Sequence, residues 1–120
     1  DKPVIVRVDA ALLSRLLQNL VSNAIKYGKP DGHVWISVRC TAEEALLSVR
    51  DDGIGIAPEQ QEKIWQRFYQ VDASRGDESG AGLGLSMVQQ IAQIHGGRMT
   101  LESILGVGSD FTLHLPLAEM

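Results

Sequence analysis

The 120-residue sequence is short of several things, and each shortage closes off a class of protein. It has one cysteine, Cys40, so no disulfide can form within the chain. Cys40 falls in a strand-like run, where a small buried or edge residue is its ordinary role. Aromatic residues are only 5% of the chain, so aliphatic side chains must build the core. No apolar run approaches membrane-spanning length, and no signal peptide is visible. Basic residues form no block or stripe: 11 Lys and Arg stand against 15 Asp and Glu, for a net charge of −4. That balance argues against nucleic acid as the main partner. It still admits a small polyanionic ligand, which needs only local positive potential. Internal repeats and low-complexity segments are missing too. What remains, 44% hydrophobic and 22% charged, is the composition of one ordinary folded domain. The chain opens abruptly on Asp1-Lys2-Pro3 and reads as a domain cut from something longer, with any membrane segment expected outside it.

Hydrophobic periodicity sets the expected elements. Residues 4–8 are β-branched and short, which predicts an edge strand. Asp9 is a good N-cap for a helix over 10–27, with Leu13, Leu16, Leu17, Leu20, Ala24 and Ile25 on its buried face. Gly28 closes that helix, and Lys29-Pro30-Asp31-Gly32 forms a turn. Residues 33–40 and 45–51 read as an antiparallel hairpin joined at Thr41–Glu44. Pro58-Glu59 suits the first turn of a helix over 58–67. Residues 70–82 are polar, glycine-containing and without period, which predicts a mobile loop. A second long helix is expected over 83–95, with Leu85, Val88, Ile91, Ala92 and Ile94 inward and Gly96-Gly97 ending it. Residues 98–104 and 109–115 form a second hairpin around Gly106-Val107-Gly108. Together these predict an α+β two-layer sandwich, an antiparallel-rich sheet with helices on one face.

Four stretches carry chemistry. In Gly80-Ala81-Gly82-Leu83-Gly84-Leu85, alternate glycines remove the Cβ from a short turn just before a helix. Bare N–H groups and the helix N-terminus there suit a phosphate, although such turns also serve packing. On the first helix, Asn19, Asn23, Lys26 and Tyr27 fall within roughly a 100° arc beside the leucine face. An Asn carbonyl is a hard oxygen donor suited to Mg²⁺, which keeps water and bridges to phosphates. Lys26 offers a point charge and Tyr27 a flat face; the plain alternative is backbone capping and a solvated lysine. After a strand comes Asp51-Asp52-Gly53-Ile54-Gly55-Ile56. It is either an acidic turn or a carboxylate with room beside it for an exocyclic amine such as adenine carries. Asp51 leads the Asp-x-Gly-x-Gly spacing and is preferred over Asp52. The aromatic run Ile64-Trp65-Gln66-Arg67-Phe68-Tyr69 can be core or a latch for the loop that follows.

In this order, from Asn-x-x-x-Asn-Ala-x-Lys-Tyr through Asp-x-Gly-x-Gly to Gly-x-Gly-Leu-Gly-Leu, the set resembles the catalytic ATP-binding domain of sensor histidine kinases. That domain belongs to a wider group with DNA gyrase, the mismatch-repair ATPases and a heat-shock chaperone. The likeness runs from Asp9 to Pro116 and implies one domain over residues 1–120. It implies a mixed, mostly antiparallel sheet of about five strands with three helices on one face, the Bergerat-type fold. ATP and Mg²⁺ are the implied ligands. By this resemblance Asn23 is the Mg²⁺ ligand, supported by Asn19, while Lys26 helps with the phosphates and Tyr27 borders the nucleotide. Asp51 fixes the adenine amine, Gly53 and Gly55 give the base room, and Ile56 lines the same site. Phe68 is the latch of a lid running roughly from Ala57 to Ala81. Gly80, Gly82 and Gly84 close over the phosphates, with Leu83 and Leu85 beside them, where packing is the simpler role.

The resemblance also implies a reaction. ATPases of the wider group usually carry a glutamate one turn before the Mg²⁺ asparagine, as a base for water. Here that position is Asn19, whose amide cannot take a proton at neutral pH. That suits a protein-histidine kinase, which saves the γ-phosphoryl for a histidine and relies on positioning and charge stabilisation. His33, His95 and His114 are none of them in a helical His-Glu or His-Asp motif, so each is expected to be structural or at the surface. The phosphoacceptor is then expected on a dimerisation helix pair upstream of Asp1, in a homodimeric kinase, and little autokinase activity is expected of this chain alone. A response regulator is the downstream partner in a two-component system. The expected location is a cytoplasmic domain of an inner-membrane sensor. Gln70 stands where the family often has a basic residue, which leaves Arg67 and Arg75 as alternative γ-phosphate partners, Arg75 before Arg67, with a solvated charge the plainer role for each. The rival reading is a nucleotide-gated interaction module without phosphotransfer; a hydrolase is the second, and Asn19 speaks against it.

Overall fold

A computed structural model describes residues 6–66 and 81–117. Helix α1 (Ala10–Lys26) starts where Asp9 turns out of extended backbone, and its carboxylate accepts the N–H groups of Ala11 and Leu12 at 3.0 and 3.1 Å. Leu16, Leu20 and Ala24 recur every four residues and are the buried stripe of that helix. Two strands follow, β1 (Val34–Cys40) and β2 (Glu44–Asp51), paired from Val34 opposite Asp51 to Cys40 opposite Ala45. Thr41 Oγ1 accepts the N–H groups of Glu43 and Glu44 and closes their turn. Helix α2 (Ala81–Ile94) leads into β3 (Arg98–Ile104) and β4 (Gly108–Pro116). The sheet order is β1-β2-β4-β3, antiparallel throughout.

The alternation of β2 and β4 sorts the two sheet faces. Ala45 and Val49 of β2, with Phe111, Leu113 and Leu115 of β4, are buried on the face that α1 and α2 cover. Val88, Ile91 and Ala92 supply the inner side of α2. Trp65 meets the edge of Phe111 at 5.8 Å between ring centres. The opposite face is polar: Ser48 and Thr112 share a hydrogen bond of 3.0 Å, and Thr100 bonds His114 at 2.9 Å.

The two-layer α+β arrangement, both hairpins and both long helices are as the sequence predicts. Four strands are present among the described residues, one fewer than the resemblance implies. The predicted strand over 4–8 reaches outside them, and its described part, residues 6–8, forms none. The predicted helix over 58–67 is two 3₁₀ turns, Pro58–Gln60 and Lys63–Trp65. Of those six residues only Ile64 is buried, so no apolar stripe exists to hold a longer helix against the core. Ile25 and Ile94, expected inward, are 69% and 70% exposed. Ile25 lies about 140° around the axis from Leu20, and Ile94 is the last residue of α2, about 120° from Val88. Cys40 takes the edge alternative, exposed at the end of β1.

Candidate active site

Helix α1 is the strut of the site. Asn19, Asn23 and Lys26 lie along it, and Tyr27 is its C-cap. The Asn19 amide donates to the Arg15 carbonyl at 2.8 Å, one turn earlier, and its Oδ1 meets the first turn of α2. A Cβ placed on Gly84 would sit 3.1 Å from that oxygen. Asn23 is half-buried, and its side chain makes no hydrogen bond among the described residues. The Lys26 ammonium lies 5.5 Å from the centre of the Tyr27 ring, within cation–π range.

Asp51 ends β2 and is 8% exposed. Burial pushes its carboxyl above the ordinary range, and the negative charges of Asp52 and Asp110 add to that. Hydrogen bonds from the backbone N–H groups of Gly53 and Ser109 oppose the rise; the Gly53 bond to Oδ1 is 2.9 Å long. The loop after Asp51 is seated on the end of α1. Ile54 N–H donates to the Tyr27 carbonyl at 3.1 Å, and a Cβ on Gly53 would collide with that same oxygen. Gly55 has φ +72° and lies against the Ile104 carbonyl, so both conformation and space require glycine. Ile56 donates its N–H to Ser103 Oγ at 2.8 Å and packs on the core. Thus α1 carries the start of α2 at Asn19 and the Asp-x-Gly-x-Gly loop at Tyr27, eight residues or about 12 Å apart along the helix.

Asp52 is built differently from Asp51. Its Oδ1 accepts the His33 N–H at 2.8 Å, and its Oδ2 lies 3.0 Å from His33 Nδ1 and 3.8 Å from Lys29 Nζ. The two His33 bonds, with Lys29 behind them, hold its carboxyl below the usual range. Sequence reasoning did not find this pair. The signal was in the hairpin register: Val34 opposite Asp51 places His33 and Asp52 just beyond the last rung. Ser103 was missed as well. Its hydroxyl receives Ile56 N–H and lies 2.8 Å from that of Ser109. No local spacing links residues 47 apart.

All three histidines have structural partners. His95 Nε2 accepts the Asp9 N–H at 2.9 Å, so its proton is on Nδ1, which lies 2.8 Å from the Ile91 carbonyl. His114 bonds Thr100, and its Nδ1 is 3.4 Å from Glu44. Gly82 falls within α2 rather than in the loop predicted over 70–82, Leu83 and Gly84 lie in α2 as predicted, and Leu85 is half-buried against the core. Phe68, Gly80, Arg67, Gln70 and Arg75 lie outside the described residues. A groove of about 920 Å³ runs along α1 past Leu13, Leu17, Val21 and Ile25; it contains Lys26 but none of Asn19, Asn23 or Asp51. Asp51 instead lines a cleft of about 660 Å³ at the end of the sheet, with Gln61, Ser103 and Ser109.

Residues 8–119 match the family model described as histidine kinase-, DNA gyrase B-, and HSP90-like ATPase. The chain is 41% identical over 99% of its length to the sensor histidine kinase WalK of Bacillus subtilis and spans 20% of that protein. Among solved structures, the mycobacterial sensor histidine kinase MprB superposes with a TM-score of 0.82 at 30% identity, over 96% of this chain and 78% of that one. Full-length ShkA in complex with AMPPNP gives 0.79 at 31% identity, over 91% of this chain and 22% of that one. The chain therefore belongs to the histidine kinase-, gyrase B- and HSP90-like ATPase family, and its relatives within it are sensor histidine kinases.

Proposed function

We infer that this chain binds Mg-ATP and donates the γ-phosphoryl group to a histidine on a separate dimerisation domain, within a two-component system. One observation carries the reading. Helix α1 joins a buried carboxylate at the head of a glycine-containing loop at one end to a helix N-terminal turn at the other, about 12 Å away. That is the spacing of a purine from its polyphosphate tail. Asp51 accepts from the adenine amine and Tyr27 borders the ring; Gly53 and Gly55, expected to give the base room, instead let the loop pack against the Tyr27 and Ile104 carbonyls and so hold Asp51 in place. The start of α2, with Gly82 and Gly84, faces the phosphates, and Lys26 adds a positive charge. Phe68 and Gly80 complete the lid in this reading.

The donor set fits Mg²⁺. Among the described residues no group of three His, Cys, Asp or Glu could cage a metal. A half-buried asparagine oxygen, Asn23 Oδ1, is the kind of single protein ligand that Mg²⁺ takes alongside water and phosphate oxygens. Bound there, the ion neutralises charge on the phosphates. Asn19 cannot act as a base for water, because its nitrogen already donates to Arg15 and an amide takes no proton at neutral pH. The engaged histidines at 33, 95 and 114 support an acceptor elsewhere. We place the parent protein at the inner membrane, with this domain in the cytoplasm; no described helix is long and apolar enough to cross a bilayer.

Mixing the chain with a separately made acceptor-helix domain and γ-labelled ATP tests the reading. Label on the acceptor that survives base and is lost in acid is the expected result. Tight ATP binding with no label would establish the nucleotide-gated interaction module instead. Brisk phosphate release by the chain alone would establish a hydrolase.

A further inference from the structure

We propose that His33 and Asp52 are positioning residues for the base-binding loop, and that protonation of His33 tightens their hold and so raises nucleotide affinity. The inference rests on the nucleotide site proposed above and adds its regulation. Two backbone segments flank the site for the base, one leaving α1 after Tyr27 and one leaving β2 after Asp51. On the inner side Ile54 N–H to the Tyr27 carbonyl joins them at 3.1 Å. On the outer side, one residue beyond the last β1–β2 rung, Asp52 ties them again: its two oxygens take the backbone N–H and the ring of His33. Asp52 directly follows Asp51, so this tie sits where the loop leaves the buried carboxylate.

The ring is held from both sides. Trp35 stacks on His33 with 5.4 Å between centres and 21° between planes. The Arg50 guanidinium lies 5.2 Å from the centre of the Trp35 ring. Opposite, Asp52 sits 3.0 Å from Nδ1. Around the imidazole the charges are mixed. Asp52 is the negative group at the ring; Lys29, 3.8 Å from the same carboxylate oxygen, and Arg50 at the indole are the positive ones; Asp31 belongs to the same turn. A neutral ring with its hydrogen on Nδ1 still donates to Asp52. A protonated ring donates and carries a charge, and charge-assisted bonds are roughly twice as strong as neutral ones. The pair is partly solvated, with 67% of the His33 side chain exposed, so the linkage is a modulation rather than an on–off switch.

The test uses the chain with Trp65→Phe, which leaves Trp35 as the single indole reporter. ADP affinity is measured by calorimetry at about pH 6 and about pH 8, which bracket the charge change of histidine. Each variant is compared with the parent at the same pH, so proton uptake by ADP cancels. Asp52→Asn is expected to weaken ADP by about three- to tenfold at the lower pH and by clearly less at the higher one. His33→Gln keeps a neutral donor, so its ADP affinity should match the parent at high pH and fail to rise at low pH. Trp35 fluorescence should change with pH in the parent and stay flat in His33→Gln. Asp51→Asn is run beside them. If the parent binds ADP and Asp51→Asn weakens it, while Asp52→Asn and His33→Gln behave as the parent, the positioning role is wrong and the site stands. A loss in Asp52→Asn that is equal at both pH values overturns the proton linkage. A parent that binds no ADP overturns the nucleotide site, and this proposal with it.

Discussion

Burial pushes the Asp51 carboxyl up while the Gly53 N–H pulls it back. A carboxylate stripped of water in this way is a strong acceptor for an incoming amine. Asp51→Asn should therefore weaken adenine nucleotides by more than about 1 kcal/mol, through a lost charge-assisted hydrogen bond. The control is a nucleotide with hypoxanthine in place of adenine, which lacks the amine; equal weakening of both would count against the assignment. Asn23→Ala should abolish Mg²⁺-dependent ATP binding, and unchanged affinity in a titration with and without the ion would refute that role. Both candidates could be named from the sequence because the pattern that singles them out is local. Asn19 and Asn23 are one helical turn apart, and Asp51 leads a glycine pattern that follows a strand. Asp52 was not legible. Its partner, His33, is 19 residues away, and only strand register brings the two together. Ser103 was hidden for the same reason.

At the scale of elements, the helices and hairpins that could be read carry their own start and stop signals. Asp9 caps α1, and glycines follow both long helices. The segment over 58–67 has a helix start signal in Pro58 but only one buried residue in its two described turns, and the missing apolar stripe decides the outcome. How α2 is tied to α1 is not periodic at all. The end of α2 presents His95 to the backbone N–H of Asp9, the residue that caps α1. Since Nε2 accepts that bond, a nitrogen–proton correlation spectrum should find His95 as the Nδ1–H tautomer. His95→Phe removes the acceptor and should cost on the order of 1–2 kcal/mol in chemical denaturation, with faster amide exchange at the start of α1. Exchange unchanged at Asp9 and the residues just after it would mean the tie carries no weight.

The whole molecule has its stability set partly by two neighbouring carboxylates that titrate in opposite senses. Asp52 is lowered from an ordinary value of 3.8 by its bonds to His33. Its contribution to stability is in place above that value and is lost as pH falls through the lowered one. Asp51 is raised from 3.8, first by burial. The folded state then holds the Asp51 proton more tightly than the unfolded chain does. Its contribution is full below 3.8 and is lost as pH rises through the raised value. At neutral pH the ionised Asp51 thus works against the fold that its neighbour supports. Asp51→Asn should gain stability relative to the parent between about pH 3 and pH 7, and Asp52→Asn should lose it over the same span. Urea midpoints across that range measure both differences. An Asp51→Asn chain that loses ground as pH rises would show that its two backbone hydrogen bonds outweigh burial. The expected gain has a functional counterpart, because the same substitution is expected to weaken adenine binding. A carboxylate that destabilises the empty domain and is satisfied by the nucleotide makes ligand binding the larger share of the stability of the loaded domain. The shift in unfolding midpoint on adding ADP should accordingly be larger in the parent than in Asp51→Asn.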